Sequence, residues 1–142
     1  MFNPNHCLFS LQSNGVSFHP NQQSFQQDNH LQFFKFVGRV IGKAIFEGMY
    51  LECHFSKPFY KMILGEDLAF EDLEDMDNAY YKNLKWSLEN DVTNCEFYFC
   101  VDKDQIGRVE EVDLKPGGKD IKVTNETKEE YVELLAYYQM FN

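Results

Sequence analysis

Apolar positions recur along this chain at two periods, and the change of period marks where helix is expected to give way to strand. Leu31, Phe34, Val37, Ile41 and Ile45 fall at helical spacing and predict a core helix. Its Gly38 and Gly42 lie four apart on one face, where a missing side chain would let another backbone approach closely, and Gly48 suits a left-handed cap. Upstream, Leu8 to Leu11 and Val16 to Phe18 flank Ser13-Asn14-Gly15, and the positive φ available to Asn-Gly predicts a hairpin there. His19-Pro20 and the Asn/Gln-rich run to Asn29 read as a polar loop. Past a short extended piece from Tyr50 to Phe55, Ser56 is placed to accept an N-cap hydrogen bond and Pro58 fits the first turn of a helix. That helix carries Phe59, Met62 and Ile63, and Gly65 closes it.

A second start signal stands at Asp77. From there to about Glu89, Tyr80, Leu84 and Leu88 form one stripe, with Tyr81 adjacent and Trp86 on the opposite face, and Asn90-Asp91 ends the helix. Cys95 to Asp102 alternates strictly, with Cys95, Phe97, Phe99 and Val101 on one side, and predicts a strand. Val109 to Leu114 is its expected partner, Pro116-Gly117-Gly118 a turn, and Thr124 the cap of a helix with Tyr131, Leu134, Leu135 and Tyr138 on its apolar face. The expected fold class is α+β, mostly helical, in one domain without internal repeats. The last helix is still apolar at Met140 and Phe141, so the chain is expected to be cut from a longer protein and prone to self-association.

Composition narrows the function. A chain of 142 residues with 44% hydrophobic and 16% aromatic content buries a moderate core. Its net charge of −10 argues against nucleic acid, which is held by clustered Lys and Arg. Glu66, Asp67, Glu71, Asp72, Glu74, Asp75 and Asp77 concentrate much of that charge without the spacing or turn glycine of a calcium loop, and read as a solvated loop and short helix or as a steering patch for a basic partner. Cys7, Cys53, Cys95 and Cys100 lack paired spacing, which fits reduced thiols in the cytoplasm or nucleus. No run approaches the length of a membrane span, and the start lacks a signal-peptide layout. The sequon at Asn125 stands without any other secretory feature.

For covalent chemistry the one tempting pair is Cys53-His54, yet neighbours on an extended segment point to opposite faces. Cys95 and Cys100 face apart for the same reason, and His6, His19 and His30 are scattered, so neither metal nor cofactor is expected. What remains is a protein-docking surface. The stripe Tyr80, Tyr81, Leu84 and Leu88, followed by Cys95 and Phe97, is able to line a shallow apolar groove for an aromatic anchor. Alternatively, Leu84, Leu88, Phe97 and Phe99 form a local core.

Four segments carry a resemblance: NPNHCLF from Asn3, HLQFFKFVGRVIGKAIFEGMYLECHFSKPFYKMIL from His30, ENDV from Glu89, and EVDLKPGGKDIKVTNETKEEYVELL from Glu111. Together they resemble the HECT ubiquitin-ligase domain over nearly the whole chain. The resemblance implies that residues 1–142 are part of the N-terminal lobe, that the catalytic cysteine lobe is absent here, and that residues 70–101 are the small helix-plus-hairpin subdomain docking a ubiquitin-conjugating enzyme. Tyr80, Tyr81, Leu84, Cys95 and Phe97 fall at the implied docking positions, with Asn83 and Asn90 near the rim. Leu11 and Met140 fall near a second, non-covalent ubiquitin contact, although aromatic residues are expected at both places and core packing is the alternative. The implied partners are the conjugating enzyme, ubiquitin, and a protein substrate held by regions outside this chain. The implied chemistry passes ubiquitin from the conjugating enzyme's cysteine to a ligase cysteine and then to a lysine. LECHF and DLKPGG look closer to the large ligases of the HUWE-type branch than to the WW-domain branch. The readings kept beside this one are a non-catalytic scaffold derived from the lobe and a cysteine enzyme built on Cys53 and His54.

Overall fold

The structure, a computed structural model, describes residues 7–105 and 108–141. Its contacts divide the chain into two compact units, residues 1–67 and 68–142. The fold is α+β with more helix than strand.

In the first unit, β1 (Phe9–Leu11) pairs antiparallel with β2 (Ser17–Pro20), placing Leu11 opposite Phe18. Gly15 takes the positive φ of the turn, at 70°. Asn14 instead works through its side chain, whose Oδ1 accepts from the N–H groups of Val16 and Ser17 at 3.0 and 2.9 Å. β2 runs through His19 and Pro20, which had been expected in a loop, because period two from Ser17 turns Ser17 and His19 inward together. Buried His19 Nδ1 lies 2.6 Å from the hydroxyl of Ser56, which is fully buried. That bond takes the hydroxyl expected to cap the next helix, and Ser56 makes no side-chain cap bond. A 3-10 turn, Gln22–Gln26, follows β2 in place of a loop.

The first long helix, α1 (His30–Phe46), is closed by Gly48 at φ 65°. Phe34, Val37 and Ile41 pack with Leu8, Phe9 and Phe55, and Phe9 meets the Phe34 ring edge-on at 5.5 Å. Leu31 and Ile45, expected in the core, are 70% and 72% exposed. Three strands of two to four residues support only the middle of a helix of 17 residues, so its end positions lose cover. Among the described residues nothing lies within 4 Å of a Cβ built on Gly38 or Gly42, so the expected close backbone approach is absent there. β3 (His54–Phe55) lies parallel to β2, and α2 (Lys57–Leu64) has Pro58 in its first turn and Gly65 at φ 71° after its end.

The second unit opens with α3 (Asp72–Met76), where the acidic run is only partly solvated: Asp72 is buried and its Oδ2 accepts from the N–H of Ala69 at 2.9 Å. Next comes α4 (Asn78–Glu89), begun by Asp77, whose Oδ1 accepts from the N–H of Tyr80 at 3.0 Å. The expected strand from Cys95 is displaced: β4 spans Cys100–Gln105 and pairs antiparallel with β5 (Arg108–Asp113). Burial still alternates before it, with Phe99 fully buried between exposed Tyr98 and half-buried Cys100. The partner of that stretch is residues 121–123, since Phe99 N–H reaches the Ile121 carbonyl and Val123 N–H reaches that of Phe97. Gly118, starting a 3-10 turn with Lys119 and Asp120, has no room for a side chain: a Cβ there would sit 2.0 Å from the Phe99 carbonyl oxygen.

The last helix, α5 (Lys128–Phe141), starts four residues beyond Thr124, because Thr124 and Thr127 bond each other across a turn first. Its buried face is Val132, Leu135, Ala136 and Met140, a rotation from the expected stripe that leaves Tyr131 and Tyr138 half-buried. That face packs with Leu73, Met76, Tyr81 and Leu84 in one cluster, while Val92, Phe99 and Val123 form a second.

Candidate functional site

Three segments of the second unit converge on an open slot of about 310 Å³. Tyr80, Asn83, Leu84, Trp86 and Ser87 line it from α4, Phe97 from the irregular segment, and Tyr131 and Leu135 from α5. Tyr80, Asn83 and Ser87 sit at i, i+3 and i+7, so one helix edge presents them together. Capping by Asp77 fixes where that edge begins.

Phe97 and Tyr131 stack with centroids 5.9 Å apart and planes 16° off parallel. Tyr131 also meets Phe99 edge-on at 5.6 Å, so the slot's far wall is braced by the buried cluster behind it. Burial, followed by the nearby Tyr80 and Cys100, pushes the Tyr131 phenol up to about 12. Burial and then the Asp77 carboxylate raise the Tyr80 phenol as well. Both hydroxyls therefore stay protonated at neutral pH and offer hydrogen bonds at the edge of an apolar surface. Trp86 stands at the rim with half its surface exposed.

Of the residues anticipated from sequence, Tyr80, Asn83, Leu84 and Phe97 are brought together here. Tyr81 is not among them. It is 9% exposed, with its ring 4.7 Å from that of Phe70 and Lys85 over it at 5.8 Å. Asn90 also stands apart: its Nδ2 donates to the Trp86 carbonyl at 2.9 Å, and its own carbonyl accepts from Lys128 Nζ at 2.7 Å. Cys95 packs against the Val92, Phe99 and Val123 cluster. Trp86, assigned to the opposite face, lies on the slot's flank beside Asn83, and Leu88 and Phe99 serve the cores. Tyr131 and Leu135 complete the site across more than 40 residues of sequence, and no local period signals that pairing. Leu11 is 49% exposed on β1, and Met140 is 3% exposed within the cluster around Leu73.

Neither Cys53 nor Cys100 is an activated thiolate. Burial raises the Cys53 thiol, with exposed His54 next to it on the strand. Cys100 is pushed up to about 11 by burial and then by Glu111, to which its Sγ donates at 3.2 Å. Among the described residues no group of three or more His, Cys, Asp or Glu is placed to hold a metal ion, and no helix is long and apolar enough to cross a membrane.

A family model, HECT-domain (ubiquitin-transferase), matches residues 1–142. The chain is 48% identical over 142 residues to an E3 ubiquitin-protein ligase, TOM1-like, of Neurospora crassa. It is 45% identical to E3 ubiquitin-protein ligase TOM1 of Saccharomyces cerevisiae and 39% identical to E3 ubiquitin-protein ligase HACE1 of Danio rerio. Each match covers 99% of this chain, but the chain spans only 4% of the length of the two fungal proteins and 16% of the zebrafish one.

Proposed function

Because this chain belongs to the HECT-domain family of ubiquitin-transferases, we propose that it is part of an N-terminal lobe and that its second unit docks a ubiquitin-conjugating enzyme in the slot between α4, Phe97 and α5. The observation that carries this reading is the convergence of Tyr80, Asn83, Trp86, Phe97 and Tyr131 on one open apolar surface. A partner loop burying a single aromatic or aliphatic side chain there would gain about 1.5–3 kcal/mol, and the hydroxyls of Tyr80 and Tyr131 with the Asn83 amide would orient it.

Docking is then a positioning role. A thiolate of the ligase's catalytic lobe attacks the ubiquitin thioester carbonyl, the conjugating enzyme's thiolate leaves, and a substrate lysine amine later displaces the ligase thiolate to leave an isopeptide bond. This chain raises the local concentration of the charged partner beside that thiolate and holds its orientation. Cys53 and Cys100, with thiols raised rather than lowered, are unsuited to that attack, and the docking role asks for no ubiquitin thioester on this chain. The setting is intracellular, where conjugating enzymes and reduced thiols coexist.

Calorimetric titration with a panel of conjugating enzymes tests the reading. Saturable binding at roughly micromolar concentration is expected. Binding by no panel member, or binding indifferent to Trp86→Ala and Asn83→Asp, overturns the docking assignment. Ubiquitin found in thioester linkage on any of the four cysteines overturns the passive role.

A further inference from the structure

α5 has a second flank, and it differs in character from the docking slot. A trough of about 740 Å³ runs between it and residues 68–71. Its floor is apolar, with Phe70, Ala136, Tyr137 and Met140 among the lining residues, and its rim carries Glu71, Glu129 and Glu133. Not one Lys or Arg lines it. Glu130, also on the lining, is already paired, with Lys115 Nζ 2.9 Å from its carboxylate. Acidic residues at the start of a helix are explained by the helix dipole, which accounts for Glu129 in α5 and for Glu71 at the N-cap of α3, but Glu133 lies beyond the first turn.

Charge decides what fits. Basic and acidic residues balance within residues 1–67, so the whole excess of −10 is carried by the second unit. A second copy of this unit would bring another acidic rim against the first and be repelled. A neutral apolar segment would bury the floor and desolvate carboxylates without compensation. We infer that the trough is a docking site for a cationic amphipathic helix of a partner protein, with apolar residues at i, i+3 or i+4 seated on Phe70 and Tyr137 and flanking Lys or Arg meeting Glu71, Glu129 and Glu133. This assignment is independent of the slot on the other flank of α5.

The test uses the 142-residue chain and two synthetic helical peptides of the same Leu spacing, one carrying Lys and the other Glu on its polar face, followed by amide chemical shifts. The expected result is shift changes confined to Phe70, Glu71, Glu129, Glu133, Ala136 and Tyr137 with the Lys peptide and none with the Glu peptide. Affinity should fall on the order of fivefold or more in Glu129→Gln/Glu133→Gln, checked for an unchanged melting point. Tyr137→Ala, at a residue 55% exposed, should weaken binding comparably while leaving the core intact. Absence of binding overturns the proposal, as do shifts spread along residues 72–77 of the acidic run or affinity unchanged in both variants. Shifts at these residues that depend on protein concentration alone would assign the trough to self-association and overturn it too.

Discussion

Asn125 holds Asp91 across 34 residues of sequence: its Nδ2 donates to Asp91 Oδ1 at 2.7 Å and to Thr93 Oγ1 at 3.1 Å, while its Oδ1 accepts the N–H of Val92 at 3.0 Å. One side chain thereby fastens the end of α4 to the turn before α5, the two helices that wall the slot. The amide of the sequon is committed to the fold. Asn125→Ala leaves the N–H of buried Val92 without this acceptor, and the unfolding free energy in urea should fall by about 1–3 kcal/mol.

Asp91 gives that fastening a pH dependence. Its carboxyl is held down at about 2 by hydrogen bonds from the Thr93 side chain and backbone and from Asn125, against an ordinary value of 3.8. A folded value below the unfolded one contributes stability above the unfolded value, lost as pH falls through the folded one. The melting temperature should therefore drop between pH 3.8 and about 2, and Asp91→Asn should flatten that part of the profile. An unchanged slope in the variant would remove Asp91 from the account.

Slot residues divide into those that test binding and those that test folding. Leu84 is 6% exposed and belongs to the core around Leu73, so Leu84→Ala should cost about 2–5 kcal/mol of stability, and any loss of binding is confounded. Trp86→Ala, at the rim, should stay within about 0.5 kcal/mol of the parent in stability while weakening a conjugating enzyme by about 1–2 kcal/mol, roughly five- to thirtyfold. Paired denaturation and titration of both variants checks the division.

Gly118 and Gly117 are neighbours with opposite requirements. Gly117 has φ 71° and open space around it, so Gly117→Ala should cost about 1 kcal/mol. Gly118→Ala drives a methyl into the Phe99 carbonyl, which is backbone and cannot swing aside; the cost should reach about 3 kcal/mol or more. Urea midpoints of the two variants should rank in that order.

Thiol chemistry separates the cysteine-enzyme reading from the rest. With Cys100 at about 11, iodoacetamide at pH 8 should label it at least about tenfold more slowly than a small-molecule thiol; Cys53, whose thiol is also raised, should react more slowly than that thiol too, while exposed Cys7 reacts first. Fast labelling of Cys53 would reopen that reading.

What the sequence determined by itself was local. The Asp77 cap, the left-handed glycines at 48 and 65, the hairpin across Gly15 and the helical stripe of Tyr80 and Leu84 were legible because each rests on φ, capping or periodicity within a few residues. The family was legible too, in the order of aromatics, glycines and proline from His30 to Leu64. Tertiary structure decided the rest. His19 became a strand residue because Ser56, 37 positions away, met its ring inside the unit. Phe97 and Phe99 took residues 121–123 as partners, so the ladder began only at Cys100. Rotation of α5 toward Leu73 put Leu135 in both core and slot and turned Tyr131 onto Phe97. Each of these outcomes is a competition among distant apolar and polar groups for a place out of water, and alternation or helical period along the chain carries no record of who the distant partner is.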